Sequence, residues 1–279
     1  ISERNVDSTI QDRIVVPVNT MINYKDMDNI LSKKYDIVFT TSVSGAHIAN
    51  FVAEKQKIPS VVELLDIPYW RLHNVFANFP DVKWREEWNN YFNELKKANH
   101  IIVNTTPCYK SLLEYIGEDY KNKVSLIYYG VDALIPDQIP EQAKTNDIIF
   151  VSTLRFYKGV NILFYVMAIL LEKYHIRPHA TIIGVGEDFF NLIQTVAMLD
   201  LNVSFVGGVS NYNKFQLIKQ SKIAVMPHFD EYIGTVFILE AMYCKVPTVT
   251  WDLQINKERF GDTITYVTKF DVMTNKHSF

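Results

Sequence analysis

Cysteine is nearly missing from this chain. Only Cys108 and Cys244 occur in 279 residues, and both stand in apolar surroundings. Two isolated thiols exclude a disulfide framework and a thiolate metal site, and the expectation is two reduced, buried cysteines in a cytosolic protein. An excess of one charge is missing too. There are 28 Lys and Arg against 31 Asp and Glu, a formal net charge of −3, so nothing global draws the chain to nucleic acid or to anionic lipid. No apolar run approaches bilayer thickness. The longest, near residues 161–171, is about half of the roughly 20 residues that a spanning helix needs. No charged-then-apolar leader opens the sequence, so neither a membrane span nor a signal peptide is expected. What is present is an ordinary globular balance, 48% hydrophobic and 21% charged, which excludes general disorder. The length allows one large domain or two small ones with a substantial core.

Short β-branched runs alternate with longer helix-period stretches from end to end. In the first half, strands are expected at residues 13–18, 35–40, 60–64, 100–104 and 124–128, with helices at 44–55, 82–98 and 108–116. The second half repeats the pattern. Its strands fall at 148–152, 180–183, 203–206, 223–226 and 248–251, its helices at 159–174, 188–199, 213–220 and 236–243. Several strands are apolar on both faces, such as Ile148-Ile149-Phe150-Val151, which suits a parallel sheet covered by helices on each side. Such alternation means βαβ units. The polar, proline-bearing stretch 136–146 breaks the pattern and reads as an interdomain linker. The expected fold is therefore α/β, two Rossmann-like parallel-sheet domains over residues 1–140 and 141–279, with the ligand in a cleft at the carboxyl ends of the strands.

The strand ends carry the chemistry. In the first half, polar residues follow apolar strands at Thr40–Ser44, at Asp66 and at Asn104–Thr106. Ser44 and Thr106 read first as helix caps, which alone justifies their type, and second as ligand contacts. Ser42 is a candidate ligand contact. Asp66 precedes Ile67-Pro68, where no ordinary helix starts at once. In the second half, strand 148–152 runs into Thr153-Leu154-Arg155-Phe156-Tyr157-Lys158-Gly159, followed by a strongly apolar helix. Cations at a helix N-terminus oppose the macrodipole, so Arg155 and Lys158 point to an anion there, with diphosphate the natural choice; a solvated loop is the plainer alternative. Further on stand the turn Gly184-Val185-Gly186 and the strand end Val206-Gly207-Gly208, where backbone can approach a flat ring closely. Glu240 stands in a nearly all-apolar helix, either in a salt bridge or facing a polar ligand. Glu231 lies in the loop before that helix, whose start at Ile233, Gly234 and Thr235 can meet more phosphate.

Together these residues resemble the retaining GT-B glycosyltransferases of family 4. The family's Gly-Arg-Leu, three variable residues and Lys-Gly appear as Ser152-Thr153-Leu154-Arg155-Phe156-Tyr157-Lys158-Gly159, and its Gly-x-Gly turn as Gly184-Val185-Gly186. The hallmark Pro-Ser-x-x-Glu-Gly-Phe-Gly, then Leu-Glu-Ala-Met and Pro-Val-Val, is matched by Pro227–Gly234, Leu239-Glu240-Ala241-Met242 and Pro247-Thr248-Val249. The hinge motif Asn-Gly-Val-Asp appears as Tyr129-Gly130-Val131-Asp132, and the match spans roughly residues 35–255. There are departures. Eight residues separate Glu231 from Glu240 where the family has seven, Thr153 stands at the family arginine, and Leu65 stands at the family histidine. The family's opening strand with its glycine-rich loop is not found in the first domain.

The resemblance implies transfer of a sugar from a nucleotide diphosphate sugar to an acceptor hydroxyl with anomeric retention. Arg155, Lys158 and the helix start at Gly234-Thr235 would stabilise the leaving diphosphate. Glu231 would hold the donor sugar, Glu240 the ribose hydroxyls, and Asp66 would orient the acceptor. No metal and no cofactor beyond the donor are implied. The expected partners are the donor and an unknown hydroxyl acceptor. Trp84, Trp88, Phe92 and Leu95 form a stripe at helical spacing, which reads first as core packing and second as a peripheral contact with a membrane or lipid acceptor. A cytoplasmic location follows, with the inner face of a membrane as its variant. Two alternatives stay open: another GT-B enzyme, such as a sugar-nucleotide epimerase or starch-type synthase, and a nucleotide-sugar-binding module without turnover.

Overall fold

The structure is a computed structural model that describes residues 24–65, 82–229 and 236–268. It divides into two compact units between Ile127 and Tyr128. The first contains α1 (Tyr24–Ser32), β1 (Val38–Thr40), α2 (Ala46–Gln56), β2 (Ser60–Leu64), α3 (Val82–Lys97), β3 (His100–Val103), α4 (Thr106–Ile116) and β4 (Val124–Leu126). Its four described strands are all parallel, in the order β1-β2-β3-β4. The strand expected at residues 13–18, and with it the question of the family's opening strand and loop, lies outside the described residues.

The core of this unit forms where the strands alternate. Val62 and Leu64 of β2 are buried while Val61 and Glu63 on the opposite face are half-buried. They meet Leu112, Leu113 and Ile116 of α4 and Phe92 and Leu95 of α3 in one apolar cluster. Each side chain of that size taken fully from water contributes about 1.5–3 kcal/mol. Three residues of the stripe on α3, Trp88, Phe92 and Leu95, thus face inward, while the side chain of Trp84 lies outside the described residues. Phe92 and Leu95 are buried, Phe92 stacks on Tyr115 with centroids 4.4 Å apart, and Trp88 packs against Phe92 at 5.7 Å. Thr105, one residue ahead of the expected cap, closes α4 by accepting a bond from the Cys108 amide at 3.2 Å, with Pro107 completing the first turn. Ser44 caps nothing. It sits in the short turn Val43–Gly45, its hydroxyl 2.7 Å from that of Ser42.

The second unit contains α5 (Leu134–Gln138), β5 (Asn146–Val151), α6 (Val160–Tyr174), β6 (Ala180–Ile183), α7 (Phe189–Met198), β7 (Val203–Gly207), α8 (Asn211–Lys219), β8 (Ser221–Met226), α9 (Val236–Tyr243), β9 (Thr248–Trp251), α10 (Gln254–Phe260) and β10 (Thr265–Val267). The sheet is wholly parallel, ordered β10-β9-β8-β5-β6-β7. This is the doubly wound order, with β5 as the first strand and the reversal of direction between β5 and β8. Both faces are covered, which is why β6 is buried at every position. The segment read above as a linker is bonded into this unit. Ile139 lies in its core, and Lys219 donates to the Pro136 and Ile139 carbonyls while Thr145 donates to Gln220 O. Among the described residues no helix is long and apolar enough to cross a membrane.

Candidate active site

In an open α/β sheet the ligand crevice lies outside the carboxyl ends of the two strands at which the winding reverses, here β5 and β8. The turn after β5 and the segment after β8 are in backbone contact there. The Phe229 amide donates to Tyr157 O at 2.9 Å, and the Phe156 and Phe229 rings stack 6.0 Å apart. Gly159 is left-handed at φ 78°, and a Cβ on it would run into the Pro227 carbonyl. This turn admits only glycine.

The turn displays the two predicted cations differently. Arg155 is exposed. Its Nη1 donates to the Tyr157 hydroxyl at 3.2 Å, and its Nε lies 3.8 Å from Glu187 Oε1 across an exposed gap. Lys158 is half-buried, with Nζ 5.1 Å from the centre of the Tyr157 ring, and makes no ion pair with any described residue. Helix α6 begins two residues later with neither an acidic residue in its first turn nor a side-chain cap. Its positive end therefore stands beside an ammonium group that no described residue neutralises, an arrangement that favours an anion there.

The glycines at the neighbouring strand end are explained by backbone crowding. Gly184 has φ 140°, and Cβ atoms on Gly184 and Gly186 would collide with the Ser152 and Leu154 carbonyls. Leu154 N bonds to Val185 O and Gly184 N to Gly207 O, so the three turns after β5, β6 and β7 are stitched together. Gly207, at φ 69°, has open space where its Cβ would be, and Val206 beside it is partly exposed. That strand end keeps a flat, side-chain-free approach.

Glu240 lies on α9 and is 9% exposed. Its Oε1 takes a 2.6 Å ion pair from Lys214 Nζ on α8, and both side chains are largely shielded. Of the two readings that the sequence left open, the ion pair is realised, and the second carboxylate oxygen accepts no hydrogen bond from a described residue. Glu231, Ile233, Gly234, Thr235 and Asp66 lie outside the described residues. In the first unit Ser42 is part of a tight polar turn at the end of β1, where its amide donates to Thr40 Oγ1 at 3.3 Å.

Three features were missed by sequence reasoning. Lys214 is one. The second is a buried polar network behind the segment after β8. His228 and Asn256 are both fully buried, with His228 Nε2 3.3 Å from Asn256 Oδ1. Asn256 Nδ2 donates to Thr250 Oγ1 and to Trp251 O, Thr250 donates to Met226 O, and Trp251 Nε1 donates to Pro227 O. The third is Glu63 near the end of β2, whose carboxyl is pushed up by burial against the opposing pull of the Asn104 amide at 3.3 Å. The one Asp-x-Asp triplet of the chain, Asp26-Met27-Asp28, falls inside α1.

Comparison with known proteins bears on the family and the fold. The sequence model of the family described as glycosyl transferases group 1 matches residues 132–273, about half of the chain. The chain belongs to that family. No curated protein sequence matches it. Solved structures of similar shape include HepE of Anabaena in complex with UDP-glucose, 19% identical with a TM-score of 0.67 over 88% of this chain and 68% of HepE. Sucrose-phosphate synthase of Thermosynechococcus elongatus is 16% identical, with a TM-score of 0.67 over 88% of this chain and 64% of its own. A TarM variant of S. aureus, in complex with fondaparinux, alpha-GlcNAc-glycerol and UDP, is 18% identical. Its TM-score is 0.63 over 84% of this chain and 45% of TarM. At such identities the likeness concerns the fold. This member of glycosyl transferases group 1 has the two parallel-sheet, Rossmann-like units of the GT-B class.

Proposed function

We propose that the protein transfers a hexosyl group from a nucleoside diphosphate sugar to an acceptor hydroxyl with retention of anomeric configuration, as a family 4 transferase. Lys158 carries this reading. A half-buried ammonium group without an ion-pair partner among the described residues stands at the start of α6, beside the reversal point of the sheet. A diphosphate satisfies both the ammonium group and the helix end. UDP in the HepE and TarM structures makes uridine diphosphate the first nucleotide to test.

In the proposed step the bond between the anomeric carbon and the diphosphate oxygen breaks. A bond from the acceptor oxygen forms on the same face, and the acceptor proton passes to the departing phosphate. Lys158 and Arg155 stabilise charge as it develops on that phosphate, a role for fixed electrostatics in a site that does not need to reorganise. Glu231 is assigned the donor sugar, Gly234-Thr235 further phosphate contact and Asp66 the acceptor. Ile233 is assigned to the donor pocket, as are Gly184, Gly186, Val206 and Gly207; Ser42 is assigned to the acceptor side. With two cations doing this work, transfer is expected to survive a chelator. The two buried thiols suit a reducing compartment, and a cytoplasmic location belongs to the same reading.

A panel of labelled sugar nucleotides tests the proposal by binding and by sugar release, with product stereochemistry read by NMR. Binding of one nucleotide sugar with transfer or slow hydrolysis, and an axial-to-axial outcome, is expected. Leu65, exposed at the end of β2 where the family has histidine, favours the second reading, a binding module. Tight binding without turnover over hours would select it, and no binding at all would overturn both.

A further inference from the structure

We infer that Lys214 is a positioning residue for recognition of the donor's ribose, acting through Glu240. This rests on the donor-site reading above, in which Glu240 receives the ribose hydroxyls. The two residues sit on adjacent helices, α8 and α9, joined by the 2.6 Å contact from Nζ to Oε1, with side-chain exposures of 17% and 12%. Such burial would be costly for a lone carboxylate. It would be retained only if neutralised or partnered, and truncating one member of such a pair leaves the other charge stranded.

The position of Lys214 is not explained by its own helix. It lies in the first half of α8, whose first turn has no acidic residue and where a cation opposes the macrodipole. Nor is it loosely held. Ser210 caps the start of α8 through the Asn213 amide, and Lys219 ties its end to the carbonyls of Pro136 and Ile139. The ammonium group also lies 4.8 Å from the centre of the buried Phe215 ring.

The consequence is a division of labour between the carboxylate oxygens. Lys214 occupies Oε1 and fixes the carboxylate in direction. Oε2 accepts from no described residue and is left to receive a ligand hydroxyl. A charged acceptor binds a hydroxyl about twice as strongly as a neutral one does, so the direction in which Lys214 holds the carboxylate is felt at the ribose without contact.

The test is calorimetric titration of the full chain with UDP and with 2′,3′-dideoxy-UDP, for wild type, Lys214→Met, Lys214→Arg and Glu240→Gln. Lys214→Met is expected to lose about tenfold in UDP affinity but less than twofold for the dideoxy nucleotide. Lys214→Arg, which keeps the charge, is expected to restore the preference. Circular dichroism checks folding, and should the methionine variant unfold, Lys214→Gln takes its place in the same comparison. Equal losses for both nucleotides, or none, would reduce the pair to a structural bridge and overturn the inference. Glu240→Gln separates the two claims. If it leaves the ribose preference intact, the donor-site reading of Glu240 fails; if it abolishes the preference while the lysine variants do not, only the inference about Lys214 fails.

Discussion

Gly159 and Pro227 meet backbone to backbone: the carbonyl of one fills the space in which the other would carry a side chain. The contact joins the turn after β5 to the segment after β8 at the reversal point of the sheet, where the Phe229–Tyr157 bond reinforces it. The lysine-bearing turn is therefore held by the strand that leads toward the glutamates.

Gly159→Ala tests that contact. A left-handed non-glycine residue costs about 1–2 kcal/mol, and forcing the two backbones apart adds about 1–3 kcal/mol more. The urea midpoint should fall accordingly, and nucleotide affinity should fall with it. An unchanged midpoint would mean that the crossing has slack.

Lys158→Ala should move binding and stability in opposite directions. Nucleoside diphosphate affinity is expected to drop by about 1–3 kcal/mol, the worth of a charge-assisted bond, while uridine binding barely changes. Stability of the unliganded chain should hold or rise slightly, because a cation beside a helix N-terminus has been removed. Calorimetry with UDP and uridine, alongside thermal unfolding, separates the two effects. Unchanged UDP affinity would remove the phosphate assignment.

Much of this architecture is legible in the sequence because the strands are short, apolar and bounded by turns. β2, β6 and β9 run over the residues that their composition suggests, 60–64, 180–183 and 248–251. α10 and β10 escape such reading because seven and three residues are too few to display a period. The stretch 136–146 looks like a linker because what holds it is lysine-to-carbonyl and backbone bonding, which leaves no side-chain pattern. In the site, the cations at 155 and 158 stand out through their conflict with the helix dipole. The partner of Glu240 does not, since Lys214 lies 26 residues away on another helix and only packing brings them together. Nothing in the order of residues marks Asn256 as buried.

Glu63 gives a pH-dependent test. Burial raises its carboxyl above the usual value in the folded chain. An acid with a raised folded pKa binds its proton more tightly when folded, so the folded state loses stability as pH rises through the unfolded value toward the folded one. Glu63→Gln removes the ionisation and still offers an oxygen to Asn104 Nδ2. Its melting temperature should exceed that of wild type at pH 7, with the difference vanishing near pH 4. A difference that persists unchanged at pH 4 would point to packing rather than to ionisation.

Asn256→Leu tests whether the buried network supports the site or merely fills space. Leucine keeps the branched shape of asparagine, though it is the bulkier side chain, and leaves the Trp251 carbonyl, the Thr250 hydroxyl and His228 without the amide that they share. Buried polar groups stripped of partners cost about 1–3 kcal/mol each, less whatever they recover by reorienting. A loss of about 2–4 kcal/mol in unfolding free energy is expected. Trp251→Phe removes the bond to Pro227 O together with part of the ring's packing and should cost about 1–2 kcal/mol. Because both changes free the segment that contacts Gly159, each should also weaken UDP binding, and the double variant should lose less than the sum of the two. Strict additivity in binding would mean that α10 and the Pro227 segment act on the nucleotide independently.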